Sequence, residues 1–225
     1  MNGSEAGEGG GGATEPGIDG APSEDAPQVG EPIVDATVAA AVESTATATD
    51  ASLERADRAS RPDRVSSILV AVAPGPHSGA TVDVARAIAD ATEAWLELFH
   101  VVPSDAALAD GPPGTAGSEA AHSDDTPQTG GDQADYVATG EGILDAARDR
   151  LGSFDRVDRW LVEDRSAAGA IVEQSPYYDL VVIGAPTTGT VGRFVFGSTA
   201  DTVIDDAAVP VVVVEGDGSA ALEGS

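Results

Sequence analysis

From Val65 onward the chain falls into short apolar runs separated by amphipathic stretches. Val65–Val72 (VSSILVAV) is a β-branched run closed by Ala-Pro-Gly-Pro, the pattern of a buried strand that ends in a turn. Ser78 is placed to cap a helix whose apolar positions Val84, Ala87, Ile88, Ala91 and Trp95 recur at helical spacing. Leu96–Val102 predicts a second strand, and Val157–Val162 (VDRWLV) alternates like a strand with one half-exposed face. Helical stripes return at Tyr136, Ile143, Leu144, Ala147 and Leu151, then at Ala167, Ala170, Ile171 and Gln174 before Pro176 stops the turn, and again at Ala200, Val203, Ile204, Ala207 and Ala208. Leu180–Gly184 and Val209–Val214 are buried strands. Strands alternating with single helices predict an α/β domain, an open five-stranded parallel sheet with helices on both faces, because each right-handed crossover needs a helix to return the chain.

The flanks carry much less apolar material. Residues 1–30 are Gly, Pro, Glu and Asp, with too little to bury to offset the entropy of ordering. A helix through Val34, Val38, Ala41 and Val42 has a small stripe, so residues 1–60 read as a disordered acidic leader, flexible or part helical. Residues 103–135 show no stripe and read as an acidic flexible insertion in a domain spanning 61–216, and residues 217–225 read as a flexible tail.

Charge narrows the function. The 225 residues hold 39 acidic against 11 basic side chains, a net charge of −28, which repels polyanions and argues against nucleic-acid binding. The first 60 residues account for 12 of the acids and two of the arginines, leaving 27 acids against nine arginines from residue 61 onward. The folded part is therefore acidic in its own right. All 11 basic residues are arginine, which excludes a Walker-type lysine and a lysine Schiff base. Acid excess without lysine suits a cytosol near molar salt, where the Debye length is about 3 Å, and points to a halophilic source. With no cysteine there is no thiolate nucleophile or sulfur-ligated metal, and His77, His100 and His122 are too scattered for a zinc site. No run approaches the length of a membrane span and no secretory signal is visible, so a cytoplasmic protein is expected.

The stretch most able to carry chemistry is Gly184–Thr199 (GAPTTGTVGRFVFGST), which follows a buried strand and runs into a helix. Free N–H groups, the positive end of the helix dipole and the Ser198 and Thr199 hydroxyls make it an anion site, located where open parallel sheets bind ligands. Arg193, the sole basic residue after Arg165, lies inside it; an ion pair with Asp201 is its structural alternative. Ser198 reads equally as a helix cap with Asp201 at the capping-box position. Other candidates carry less. Gly140-Glu-Gly142 opens a helix with no preceding strand, Gly111–Gly117 lacks a phosphate-loop lysine, and Asp124-Asp125 lacks the spacing of a calcium loop. His77 reads as a polar loop residue and His100 as a packed, hydrogen-bonded strand histidine.

At these residues the chain resembles the universal stress protein family, whose nucleotide loop is written G-x-x-G, nine residues, then G-[ST]. Ile68–Val72 matches the family's first strand, His100–Pro103 the end of the second and Val181–Gly184 the fourth. Gly184 fits the first glycine, nine residues separate Thr187 from Gly197, and Gly197-Ser198 fits the closing pair. Gly192-Arg193 and Pro210–Val214 also fall where the family has them. The resemblance implies a Rossmann-like sheet of order 3-2-1-4-5 and a stress-response regulator that binds ATP or another adenine nucleotide without turnover. Its phosphate loop would comprise Gly184, Thr187, Gly189, Gly192, Arg193, Gly197, Ser198 and Thr199, with Val72, Ala73 and Val102 on the adenosine side. Four positions depart from the family: Ala73 replaces its acid, Pro74-Gly75 its Gly-Ser pair, and Thr187 its second loop glycine. A ligand-free dimeric interaction module is the competing reading, and a nucleotide hydrolase the weakest. The same strand order leaves Val209–Val214 at an edge, four of whose residues are consecutive valines, and predicts a homodimer formed by twofold pairing of that strand.

Overall fold

A computed structural model describes residues 33–60, 64–105, 107, 133–186 and 197–222, apart from the side chains of 33–35, 197 and 198. Among these residues six strands form one sheet: β1 (Ala48–Glu54), β2 (Ser67–Ala71), β3 (Trp95–Pro103), β4 (Val157–Asp164), β5 (Leu180–Gly184) and β6 (Val211–Gly216). Their order is β1-β6-β5-β2-β3-β4. The apolar runs correspond to β2 to β6, which are parallel and lie in the order 3-2-1-4-5. The sheet is nonetheless mixed, because β1 adds a sixth strand antiparallel to β6.

The helices are α1 (Ile33–Ser44), α2 (Ser78–Thr92), α3 (Gln133–Leu151), α4 (Ala167–Gln174) and α5 (Gly197–Asp206). Side chains alternate across a strand, so each central strand serves two cores. Ile68, Val70, Leu96, Leu98, Leu180 and Val182 pack with α1, α2 and α3 on one face. Leu69, Phe99, Val181 and Ile183 pack with α4 and α5 on the other. Parallel strands covered on both sides explain why these runs are continuously apolar.

Four expectations change. The segment 33–60, read as leader, supplies α1, with Val38 and Ala41 buried in the core, and the whole of β1. β1 (ATDASLE) has no apolar alternation to announce it; the edge of β6 makes it a strand. The second correction follows from the first. The outer edge of β6 is filled by β1, with Ala51 opposite Val214 and Leu53 opposite Val212, so the open edge on which the homodimer was argued is not there. Third, the buried face of α2 runs through Val84, Ala85, Ile88 and Ala89, not through Ala91 and Trp95. The helix stops at Thr92 because Glu93 turns left-handed, at φ 58°, and Trp95 then opens β3 with 44% of its surface exposed.

The tail is the fourth. Leu222 is buried, bridges to Gly75, and donates its N–H to Ser78 Oγ at 2.7 Å. A Cβ on Gly79 would lie 1.9 Å from the carbonyl oxygen of Ala220, so only glycine lets α2 and the tail meet.

Asp83 joins the additions to the central domain. Its carboxylate takes two hydrogen bonds from Arg150 on α3, at 2.8 and 2.6 Å, and one from Thr47 Oγ1, at 2.6 Å, in the turn between α1 and β1.

Candidate functional site

Each parallel strand delivers its carboxyl end to the same side of the sheet, and there a cavity of about 730 Å³ opens over β2, β3, β4 and β5. Its floor is Val72, Ala73 and the chain to His77 after β2, and its walls are His100–Pro103 from β3 and Gly184–Pro186 after β5. Thr199 and Ala200 close one side from the first turn of α5, and Tyr136, Thr139 and Ile143 the other from α3.

Of the residues singled out in the sequence, Val72, Ala73, Val102, Gly184 and Thr199 come together on this cavity. Gly197 and Ser198 open α5. Thr187, Gly189, Gly192 and Arg193 lie outside the described residues, as do His122, Gly111–Gly117 and Asp124-Asp125. The structure adds Asp164, Arg165 and Ser166 at the end of β4, and Tyr136 and Thr139 on α3. Their position after a predicted strand was a usable signal for the first three. Asp164 accepts the Ser166 N–H at 3.0 Å, and Ser166 Oγ in turn accepts the Gly169 N–H, at 3.2 Å, as the cap of α4.

The two histidines on the cavity are both tied to backbone. His77 Nδ1 is held against the Gly216 backbone, 2.9 Å from its N–H nitrogen and 3.2 Å from its carbonyl oxygen. His100 is 8% exposed, and its Nδ1 donates to the Val72 carbonyl at 2.7 Å. Burial pushes the His100 pKa below the ordinary histidine value, against a smaller upward pull from that hydrogen bond. His100 is thus neutral, with Nε2 left as an acceptor. A Cβ on Gly140 would meet His100 Cδ2 at 2.8 Å and Leu161 Cδ1 at 2.7 Å, so this glycine lets α3 close over the histidine. Gly140 thus has a packing role.

The first turn of α2 is already occupied. Ser78 Oγ donates to the Gly75 carbonyl at 2.7 Å and accepts from the tail, while Thr81 Oγ1 donates to the His77 carbonyl at 2.8 Å. The helix start that remains for a ligand is that of α5.

The lining is unlike the rest of the surface. In a chain with 39 acidic side chains, Asp164 is the sole carboxylate that lines the cavity among the described residues, and Arg165 is the sole guanidinium. No group of three or more metal-capable side chains occurs among those residues, and none of their helices is long and apolar enough to cross a membrane.

A doubly wound, mostly parallel sheet with a cavity at the carboxyl ends of its parallel strands is a Rossmann-like α/β fold. Residues 65–215 match the universal stress protein family, and the chain belongs to that family. Among solved structures it is similar to the universal stress protein from Archaeoglobus fulgidus, at 18% identity and TM-score 0.48, over 67% of this chain and 98% of that one. It is similar to the universal stress protein UspA from Lactobacillus plantarum, at 24% identity and TM-score 0.46, over 68% and 99%. A further similar structure is the Archaeoglobus fulgidus protein in complex with dAMP, at 17% identity and TM-score 0.47, over 67% and 98%. No curated protein matches the chain.

Proposed function

We propose that this chain is a stress-response regulator that holds an adenine nucleotide, ATP or a relative, or another small phosphate-bearing ligand, without turning it over. The observation that carries the reading is the cavity: a site nearly free of carboxylates in a protein of net charge −28, at the strand ends where a parallel sheet binds nucleotides. In this reading the adenosine part rests against Val72, Ala73 and Val102. The phosphates lie toward Gly184, Thr187, Gly189, Gly192, Arg193, Gly197, Ser198 and Thr199, where the start of α5 supplies N–H groups and a positive dipole end. Binding without turnover suits the two histidines, each of which has a ring nitrogen committed to the backbone.

A ligand-free interaction module is the second reading, favoured by Ala73 where the family has an acid. Mass spectrometry of small molecules released from protein purified at molar salt separates the two. An adenine nucleotide is expected; an empty protein that also fails to take up ATP in titration would leave the module reading. Arg193→Ala and Ser198→Ala should each weaken binding by about 1–3 kcal/mol, the scale of a charge-assisted hydrogen bond. Unchanged affinity in both would place the ligand elsewhere. Ala73→Asp with Thr187→Gly should tighten ATP binding.

A further inference from the structure

Both tryptophans of the chain stand on one face of the sheet, and two carboxylates lie between them. Along β3, Trp95, Glu97 and Phe99 point to the same side, because side chains alternate across a strand. On β4, Asp158 is the register partner of Glu97, and Trp160 that of Phe99. Strands lie about 4.8 Å apart and rise about 3.3 Å per residue, so Trp95 and Trp160 end a strip about 14 Å long with the Glu97–Asp158 pair near its middle. The helices on this face, α4 and α5, bury Leu69, Phe99 and Val181 but leave Trp95 44% and Trp160 41% exposed.

The two carboxylates are short of positive charge. Among the described residues no arginine forms a salt bridge with either: Arg86 and Arg156 reach Asp90, Arg150 reaches Asp83 and Arg159 reaches Asp145. Burial, then Asp158, raises the Glu97 pKa; burial, then Glu97, pushes the Tyr178 hydroxyl up to about 12, so the Tyr178 ring borders the pair as well. A like-charge pair directly opposed across two strands destabilises the sheet, and a cation seated on both groups reverses that sign. Exposed Trp and Tyr are residue types that anchor interfaces. A guanidinium stacks on aromatic rings and has enough N–H groups to bridge two carboxylates, which suits it better than an ammonium. We propose that this strip is a docking site for a partner protein that presents an arginine flanked by apolar side chains, the guanidinium on Glu97 and Asp158 and the apolar groups on Trp95 and Trp160. A second copy of the chain is a poor occupant, since it brings a net charge of −28 to an acidic strip. The strip lies toward the amino ends of β3 and β4, away from the strand ends that open on the cavity, so the inference goes beyond the ligand-holding reading and stands without it.

Tryptophan emission reads the strip directly, because Trp95 and Trp160 are the chain's two tryptophans. The probe is the acetylated, amidated tripeptide Leu-Arg-Leu, titrated into the full chain at molar sodium chloride, with the citrulline peptide as its uncharged counterpart. The arginine peptide should change the emission saturably, and the citrulline peptide should bind about tenfold or more weakly, the scale of one charge-assisted hydrogen bond. Glu97→Gln with Asp158→Asn removes the repulsion between the strands, so this variant should stay folded with both reporters in place. It should lose about tenfold or more in affinity for the arginine peptide. The proposal is overturned if the arginine peptide gives no saturable change, if the two peptides bind equally, or if the double variant binds as the wild type does. Tetramethylammonium binding as tightly as the tripeptide would make the strip a small-cation site. Emission that shifts with protein concentration alone, while the sedimenting mass doubles from 22.4 kDa, would seat a second copy there. Either result also overturns the proposal.

Discussion

At one edge of the sheet β6 presents four valines and is covered along its length by β1; at the other, β4 (VDRWLVED) has no strand beyond it among the described residues. β4 carries Asp158, Arg159, Glu163 and Asp164, and Arg159 pairs with Asp145 on α3. Charged side chains on an edge make a further strand costly to dock, so β4 tolerates solvent, whereas an uncharged valine ladder needs a partner. The difference also shows on the faces. Glu97 and Asp158 stand side by side in register near the β4 edge, a like-charge pair, and Trp160 lies edge-on to Phe99, ring centroids 5.5 Å apart, while staying 41% exposed.

Five experiments break or sharpen this contrast. The largest effect is expected from salt. Dilution from about 1 M to roughly 0.05 M lengthens the range of carboxylate repulsion several-fold. The thermal midpoint should fall by more than about 10 °C, equivalent to about 3 kcal/mol in a domain this size. Equal midpoints at both salt levels would remove the case for adaptation to high salt. Next comes Asp83→Ala, which strips Arg150 and Thr47 of their shared acceptor near the covered edge. A loss of about 2 kcal/mol is expected in denaturant titration, less than for a fully buried pair because both partners are partly exposed. Arg58→Ala should cost about 1 kcal/mol and raise amide exchange in β1 while leaving β4 unchanged. Uniform exchange across both edges would show that β1 is not separately anchored.

The smallest effect tests the charged edge. Partial burial, reinforced by Asp158, raises the Glu97 pKa above its ordinary value. The folded state therefore holds this proton more tightly than the unfolded chain. The contribution is favourable at acid pH and lost as pH rises from the unfolded pKa through the raised folded one. Glu97→Gln should accordingly stabilise the protein at pH 7, by less than about 1 kcal/mol, and have no such advantage near pH 4. His100, on the opposite face of the same strand, runs the other way. Its lowered pKa makes stability fall as pH drops below the unfolded histidine value, so His100→Asn should flatten the pH dependence in that range.

β2, β5 and β6 were legible because burial on both faces writes itself as near-unbroken Val, Ile and Leu, and β4 because its alternation marks one half-exposed face. β1 was not, since ATDASLE is a strand only by virtue of the edge it meets, and that edge lies at the far end of the chain. Trp95 misled the reading of α2 because its spacing continues the helical period past a left-handed turn at Glu93 that no glycine marks. In the site, Val72, Ala73, Val102, Gly184 and Thr199 could be found because each sits at the end of an apolar run or at a helix start. Tyr136 and Thr139 could not, because they reach the cavity from an α3 face whose register is set by the packing of Gly140 on His100. Ser78, expected to cap α2, is instead its first residue after the N-cap His77; its hydroxyl donates back to the Gly75 carbonyl and accepts the Leu222 N–H of a tail with little apolar content.

The pairing of β1 with β6 also has a meaning in time. During synthesis β1 leaves the ribosome before the strands β2 to β6, yet its partner strand is the final one to be made. A contact between residues this far apart in sequence forms late, after the loop-closure entropy of nearly the whole domain has been met. β1 therefore cannot take its place in the sheet until β6 has been made. Its docking, marked by the Asp217 N–H reaching the Thr47 carbonyl at 3.2 Å, thus waits on the strand made last in the sheet.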